Sequence, residues 1–283
     1  MGTNGFVASH ILFGLVERNY HIVATVQAEG AYDEAFRDGG FDYIIHNASP
    51  LNFTMGSLLR TARLITCAHK SGGPSLKRFV LLGSAVAVLN EFEDISIAEK
   101  LYTEVDWNPV TAEHGIEKKE HYHKIQPSKK LDEQAGRRYM EEHNLNFDLA
   151  VINLDIIIGP MFQNVPGPHS ANETNEIAIY NFMNGKYTSI DGLKYPFYHF
   201  VDVRDVALAH ILVRTISAAG TKRIILVSGL ISPQIIINTT RKHFPELKDR
   251  IIEGHPEQLL PPGVDPTGWD SSRSLEIFGP DWK

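Results

Sequence analysis

Three small residues at the start of the chain have a spacing that suits contact with a diphosphate. Gly2, Gly5 and Ala8 lie three positions apart, and Phe6 begins an apolar stretch of helical length. Backbone N–H groups at a helix N-terminus favour an anion, and small side chains allow it to approach closely. Only Met1 precedes Gly2, although a strand normally aims such a turn, so a ligand-free turn that opens a helix is the alternative.

Titratable side chains at two other places could do metal or acid–base chemistry. Imidazole is the commonest transition-metal ligand, but His114, His121 and His123 flank the charged run 117–120, which is typical of a solvated surface. We therefore predict no metal site. Asp155 interrupts an apolar strand, where a carboxylate is costly unless it is paired, so it is either a structural partner of a nearby donor or a functional acid.

The elements that must position these groups alternate along the chain between apolar runs and amphipathic stretches. This alternation is typical of parallel strands joined by crossover helices, and it predicts an α/β fold with a parallel sheet covered by helices on both faces. The predicted strands are 21–26, 43–47, 78–82, 149–157 and 223–227. The predicted helices are 6–17, 57–69, 129–142, 203–216 and 233–244.

Proline and glycine interrupt this rhythm in two regions, which predict a small substrate lobe beside the core. We expect an α/β core over 1–158 and the first part of the lobe over 159–198. The chain then returns to the core over 199–230 and completes the lobe over 231–283.

Composition limits the class of protein. Twenty-seven Lys and Arg against 34 Asp and Glu leave 283 residues with a net charge of −7, which argues against a nucleic-acid partner. No apolar run reaches the roughly 20 residues that cross a bilayer, no signal peptide is recognisable, and Cys67 is the only cysteine. We expect a cytoplasmic protein that binds a small molecule, contacts neither membrane nor nucleic acid, and is compatible with a homodimer.

Seven short motifs then carry a family resemblance along nearly the whole chain. They lie at 5–10, 43–50, 77–84, 106–109, 128–133, 159–160 and 200–207. In this order and spacing the chain resembles the extended short-chain dehydrogenase/reductases, and within them the fungal carbonyl reductases related to dihydroflavonol reductase. The resemblance implies that the core over 1–158 is Rossmann-like, with a doubly wound parallel sheet that binds NADP(H) and is truncated relative to the family. It also implies a small C-terminal substrate lobe and a catalytic Ser-Tyr-Lys set.

The resemblance assigns catalytic roles to Ser84 and Lys129 but leaves the proton donor missing. The tyrosine should stand four residues before the lysine, where this chain has Ile125. Pro127 predicts that Tyr122 lies in a loop before the helix, either as a replacement donor or as an ordinary loop residue. The same loop makes His123 a further candidate acid or base.

The nucleotide half departs further from the family pattern. If a cofactor site is retained, the resemblance assigns it to Gly2, Gly5, Phe6, Ala48 and Lys129. Gln27 replaces the arginine expected at the adenosine 2′-phosphate, and a neutral amide does not balance a phosphate charge. The segment 27–42 is also much shorter than the family pattern, so we favour no cofactor, with NADPH as the alternative.

Apolar and aromatic side chains near the lobe suggest a substrate pocket, with plain core packing as the alternative. The predicted pocket residues are Ser49, Ile125, Asp155, Met161, Phe162, Phe182 and Tyr198.

Three functions follow from these observations. We favour a cofactor-free enzyme on a reductase-like scaffold, which isomerises or cyclises a mostly apolar carbonyl compound of the secondary-metabolite type. In that reading Ser84, Lys129 and either Tyr122 or His123 polarise the carbonyl group. The alternatives are an NADPH-dependent carbonyl reductase and a catalytically silent binding protein.

Overall fold

The structure, a computed structural model, describes most of the chain. The described residues are 5–25, 34–47, 60–90, 92–97, 100–117, 121–163, 165, 167, 171–193, 195–280 and 282; the side chains of 60, 115–117 and 121–126 are not among them.

A parallel sheet of four strands forms the centre of the described chain. The strands β1 (Tyr43–His46), β2 (Arg78–Leu82), β4 (Asp148–Leu154) and β7 (Arg223–Leu226) lie side by side in this order. Each pair is parallel, with Ile45 beside Val80 and Leu82 beside Ile152. The predicted α/β class is confirmed.

Helices cover both faces of this sheet. Since side chains alternate along a strand, Phe79 and Leu81 pack against α2 (Arg60–Ser71) and α4 (His121–Glu142). Val80 and Ile152 point the other way, into a cluster that includes side chains from α1 (Phe6–Glu17), α7 (Val203–Val213) and α9 (Ser272–Phe278). Helices α1 and α7 approach so closely that a Cβ on Gly14 would lie 2.6 Å from Ile211.

A buried ion pair fixes α4 to the last strand of the sheet. The carboxylate of Glu133, 1% exposed, accepts a hydrogen bond of 2.8 Å from Arg223 on β7 and one of 2.9 Å from Arg137. The Arg223 guanidinium also donates to two backbone carbonyls, those of Glu104 and Asp106. These bonds set the position of the helix that carries Lys129.

A second hydrophobic cluster forms beside the sheet. A second sheet of three strands contributes to it: β5 (Ile156–Ile158), β6 (His199–Asp202) and β8 (Gly229–Leu230). Strand β5 is parallel and β8 antiparallel to β6. Its helices are α5 (Glu173–Asn175), a π-turn at Glu176–Tyr180, α6 (Asn181–Met183) and α8 (Pro233–His243). The division into core and lobe at 158, 198 and 230 stays a prediction.

Short elements complete the chain and bring its C-terminal part back to the sheet. Strand β3 (Leu101–Tyr102) pairs with β9 (Gly268–Trp269), and a six-residue helix, α3 (Ala112–Glu117), precedes α4. None of the helices in the described part of the chain is long and apolar enough to cross a membrane.

The predicted elements need three corrections. Residues 21–25 do not form the predicted strand, and residue 26 lies outside the described chain. The predicted strand 149–157 divides at Asp155 into β4 and β5. Helix α4 begins at His121 rather than at 129, so Pro127 lies inside the helix, in its second turn, and does not mark its start.

Candidate active site

Polar residues follow the ends of three neighbouring parallel strands. His46 closes β1, Ser84 stands two residues beyond β2, and Asp155 directly follows β4. Because the carboxyl ends of parallel strands meet at one edge of the sheet, these residues share the edge at which open α/β sheets bind ligands. This edge is the candidate site.

Ser84 is held in place by the side chain of Asn153. The Ser84 N–H donates to the Asn153 side-chain carbonyl at 3.0 Å, and its Oγ accepts a longer bond, 3.4 Å, from the N–H of Val86. Gly83 makes this possible, since a Cβ there would lie only 2.2 Å from the Asn153 oxygen. The Ser84 hydroxyl thus keeps its own hydrogen for another acceptor.

Lys129 and His46 form an electrostatically coupled pair at the same edge. Burial lowers the pKa of Lys129 from 10.5 to about 8, and Asp132 partly offsets this effect. Burial also lowers the pKa of His46 to about 3, with a contribution from the Lys129 charge, so the imidazole is neutral. The His46 Nε2 is buried and has no hydrogen-bond partner among the described residues. Helix α4, which carries Lys129, packs on the turn Ala85–Ala87 that directly follows Ser84.

Asp155 lies where the main sheet passes into the second one. Its Oδ1 accepts from the N–H of Ile156 at 2.8 Å, and its Oδ2 accepts from the indole N–H of Trp269 at 3.1 Å. Burial raises the pKa of the Asp155 carboxyl group to about 7, although both hydrogen bonds act in the opposite direction. A substantial fraction of this carboxyl group therefore holds a proton near neutral pH.

The other candidate acids lie on helix α4 rather than in a loop. The prediction that Tyr122 precedes the helix is wrong, because α4 begins at His121. Tyr122 is therefore two helical turns, about 10 Å along the axis, from Lys129, and Ile125 is one turn away. The side chains of Tyr122, His123 and Ile125 lie outside the described part of the structure.

The candidate cofactor residues are only partly within the described chain. Gly5 is the N-cap of α1, Phe6 is its first residue, and no side chain caps this helix end. Gly2, Ala48 and Ser49 lie outside the described residues, as does Gln27. The catalytic, cofactor and pocket assignments stay predictions.

The aromatic residues predicted to line a pocket are dispersed. Phe162 stacks on His10, with ring centres 4.0 Å apart, and is 53% exposed. Phe182 is 2% exposed and packs inside the second hydrophobic cluster, so its position is that of a core side chain. Tyr198 is buried and Met161 partly buried.

Among the described residues, no group of three or more His, Cys, Asp or Glu side chains is arranged to hold a metal ion. His114 instead packs edge-on against Phe92.

Two residues of the site, His46 and Asn153, did not emerge from the sequence as candidates. Each is a polar residue at or near the carboxyl end of an apolar strand, and both are buried at 5% exposure or less. Polarity at such a strand end is the signal that could have indicated them.

The fold and the site together define the class of protein: a parallel α/β sheet with a polar ligand site at the carboxyl edge. No family model matches the chain. A ketoreductase of Aspergillus niger is 28% identical over 98% of this chain and 90% of its own length. An NADPH-dependent methylglyoxal reductase of Saccharomyces cerevisiae is 23% identical over 98% of this chain and 91% of its own. The crystal structure of yeast methylglyoxal/isovaleraldehyde reductase complexed with NADPH superposes with a TM-score of 0.81, covering 98% of this chain and 91% of that one at 22% identity. The predicted resemblance is confirmed: over nearly its whole length the chain is similar to reductases of the extended short-chain dehydrogenase/reductase type.

These relationships correct the favoured function. The prediction of a cofactor-free isomerase or cyclase is wrong, because the relatives that match nearly the whole chain are reductases and several are named for NADPH. The preference for no cofactor is wrong for the same reason. Gln27 and Ile125 depart from the reductase pattern, but the seven motifs that agree with it extend along nearly the whole chain.

Proposed function

We propose that this protein is an NADPH-dependent reductase of small aldehydes or ketones. The observation that supports this function most strongly is the position of Lys129. This partly buried lysine lies on helix α4, which packs against the turn after Ser84 at the carboxyl edge of the sheet. The similarity to a ketoreductase and to a methylglyoxal reductase over nearly the full chain supports the same chemistry.

The described residues fit the diphosphate and ribose portions of such a cofactor. The α1 N-terminus has no side-chain cap, so its backbone N–H groups suit a diphosphate. The unpartnered Nε2 of His46 and the Lys129 ammonium can bond ribose hydroxyl groups. NADPH, when bound, supplies the two electrons of the reduction.

Ser84 and Lys129 polarise the carbonyl group of the substrate. The Ser84 hydroxyl, whose oxygen accepts from Val86, can donate its hydrogen to the substrate oxygen. With a pKa of about 8, Lys129 is about nine-tenths protonated at pH 7 and stabilises negative charge developing nearby. Asn153 and Gly83 act on Ser84 alone, by fixing the backbone from which its hydroxyl projects.

The test is carbonyl-dependent NADPH oxidation by the purified chain. A panel of 2-oxoaldehydes, aliphatic aldehydes and aryl ketones is offered, and NADPH absorbance is followed together with the alcohol product. We expect equal amounts of NADPH consumed and alcohol formed with at least one member of the panel, and a much lower rate for Ser84→Ala. A folded protein that consumes no NADPH with any member would contradict the proposal.

A further inference from the structure

The reductase function leaves one requirement unmet. A carbonyl oxygen that gains negative charge must receive a proton, and the residue four positions before Lys129 is Ile125, a hydrocarbon side chain. Among the side chains that the structure describes, an acid at the carboxyl edge could supply this proton. The inference below rests on the proposed reductase function.

Asp155 is placed beside Ser84 by the register of the sheet. Leu82 pairs with Ile152, and the N–H of Gly83 continues the ladder with a 2.8 Å bond to the Ile152 carbonyl. Two residues further along, Ser84 therefore lies beside Leu154, and Asp155 follows. With parallel strands about 4.8 Å apart, the backbone of Asp155 is about 6 Å from that of Ser84.

Two hydrogen bonds fix the side chain of Asp155, and its carboxyl group can still donate a proton. Each carboxyl oxygen accepts one hydrogen bond, from the Ile156 N–H or the Trp269 indole, and each has a further lone pair or proton position. Trp269 is itself packed at 5.9 Å against Tyr102, in a cluster that includes Val88 of the segment after Ser84. The same cluster contains Ile225 of β7, so a packed aromatic partner fixes the Asp155 carboxyl group at the carboxyl end of β4.

The charged groups around Asp155 do not force it to ionise. Ile156 pairs with Phe200, so His199 is the register neighbour of Asp155 on β6, and burial lowers the pKa of that imidazole. On the other side, Asp270 follows Trp269 and accepts from the N–H of Ser272. A neutral imidazole carries no charge that would favour the ionised form of Asp155, and burial is the cause of its raised pKa of about 7.

We propose that Asp155 is the proton donor of this enzyme. It replaces the acid expected four residues before Lys129, where the side chain of Ile125 has no proton to donate. The electron pair of the carbonyl double bond moves onto oxygen, which takes the proton of the Asp155 carboxyl group and becomes a hydroxyl. The carbonyl carbon receives its hydrogen and electron pair from the reduced nicotinamide, which becomes oxidised. The Asp155 carboxylate then regains a proton from water.

The kinetic test compares Asp155→Asn with wild type and with Asp191→Asn as a matched control. Asp191 is an exposed carboxylate paired with His255, remote in sequence from the site. Since positioned acids contribute about 10²–10⁴-fold, we expect the kcat of Asp155→Asn to fall at least about 100-fold, with NADPH affinity unchanged. The wild-type kcat should also decline as pH rises through about 7, because the protonated acid is the active form.

A spectroscopic test needs no cofactor. The indole N–H resonance of Trp269 reports on Asp155 directly, and Trp269→Phe identifies it among the three tryptophan signals. We expect this resonance to titrate with a midpoint near pH 7 in wild type and to be independent of pH in Asp155→Asn. A flat wild-type titration, or an active wild type whose kcat survives Asp155→Asn, overturns the donor role alone. A folded wild type that reduces no carbonyl compound overturns the reductase function itself, and the donor role with it.

Discussion

The buried charge of Lys129 serves the proposed function but lowers the stability of the folded protein. An ammonium group that remains mostly charged at pH 7 is useful beside a developing oxyanion. Its pKa nevertheless falls from 10.5 to about 8 because burial removes it from water. The unfolded chain therefore binds this proton more tightly, and the charged side chain destabilises the folded state at neutral pH.

Lys129→Met should thus stabilise the protein while it impairs catalysis. Below about pH 8 we expect the free energy of unfolding to rise by about 1–3 kcal/mol, since the buried charge is absent. The gain should shrink as pH rises from about 8 towards 10.5, where the wild-type lysine is neutral in both states. Urea unfolding at a series of pH values measures this difference, with kcat measured in parallel.

The control is Lys77→Met, which removes a lysine that is 65% exposed. Its stability and kcat should stay close to those of wild type. If Lys129→Met kept full reductase activity, Lys129 would have no role in the mechanism. If Lys129→Met lowered the free energy of unfolding at pH 7, burial of the Lys129 charge would not destabilise the folded protein.

At the scale of elements, the position of α4 depends on the Glu133–Arg223 pair. Glu133→Gln leaves the Arg223 guanidinium buried without its countercharge, which typically costs about 3–5 kcal/mol. Denaturant unfolding measures the loss. Asp42→Asn breaks the exposed pair with Lys77 and should cost less than about 1 kcal/mol. Equal losses in the two variants would contradict a special anchoring role for Glu133.

Elements were predictable from the sequence where local pattern and tertiary environment agree. The prediction 78–82 matches β2, whose apolar run is buried as its pattern requires, and the prediction 6–17 matches the bounds of α1. The break at Asp155 was not predicted, since apolar residues continue on both sides of it. It depends on contacts with Trp269, which is 114 residues away.

The site was predictable only in part for the same reason. Ser84 and Lys129 were predicted from a family resemblance, because family motifs identify residues that come together only in the tertiary structure. The support of Ser84 by Asn153 requires the register of β2 with β4, which no local pattern contains. The coupling of His46 to Lys129 requires a helix and a strand that are 83 positions apart to pack together.

At the scale of the whole molecule, two hydrophobic clusters flank the carboxyl edge. One lies under α1 and α7, and the other includes β5, β6 and α8. Trp269 belongs to a third cluster, with Val88, Tyr102 and Ile225, and its indole bonds Asp155, where the main sheet passes into the second one. A ligand that binds the folded chain at this edge adds its binding free energy to the stability of the fold.

The most direct test of the reductase account is a calorimetric titration of the purified chain with NADPH. We predict saturable binding at micromolar concentration, and an increase in unfolding free energy of about 2.7 kcal/mol when free NADPH is 100 times its dissociation constant. Lys129→Met should weaken this binding and Lys77→Met should not. Absence of heat and of stabilisation at millimolar NADPH, in a sample that unfolds cooperatively, would contradict the account.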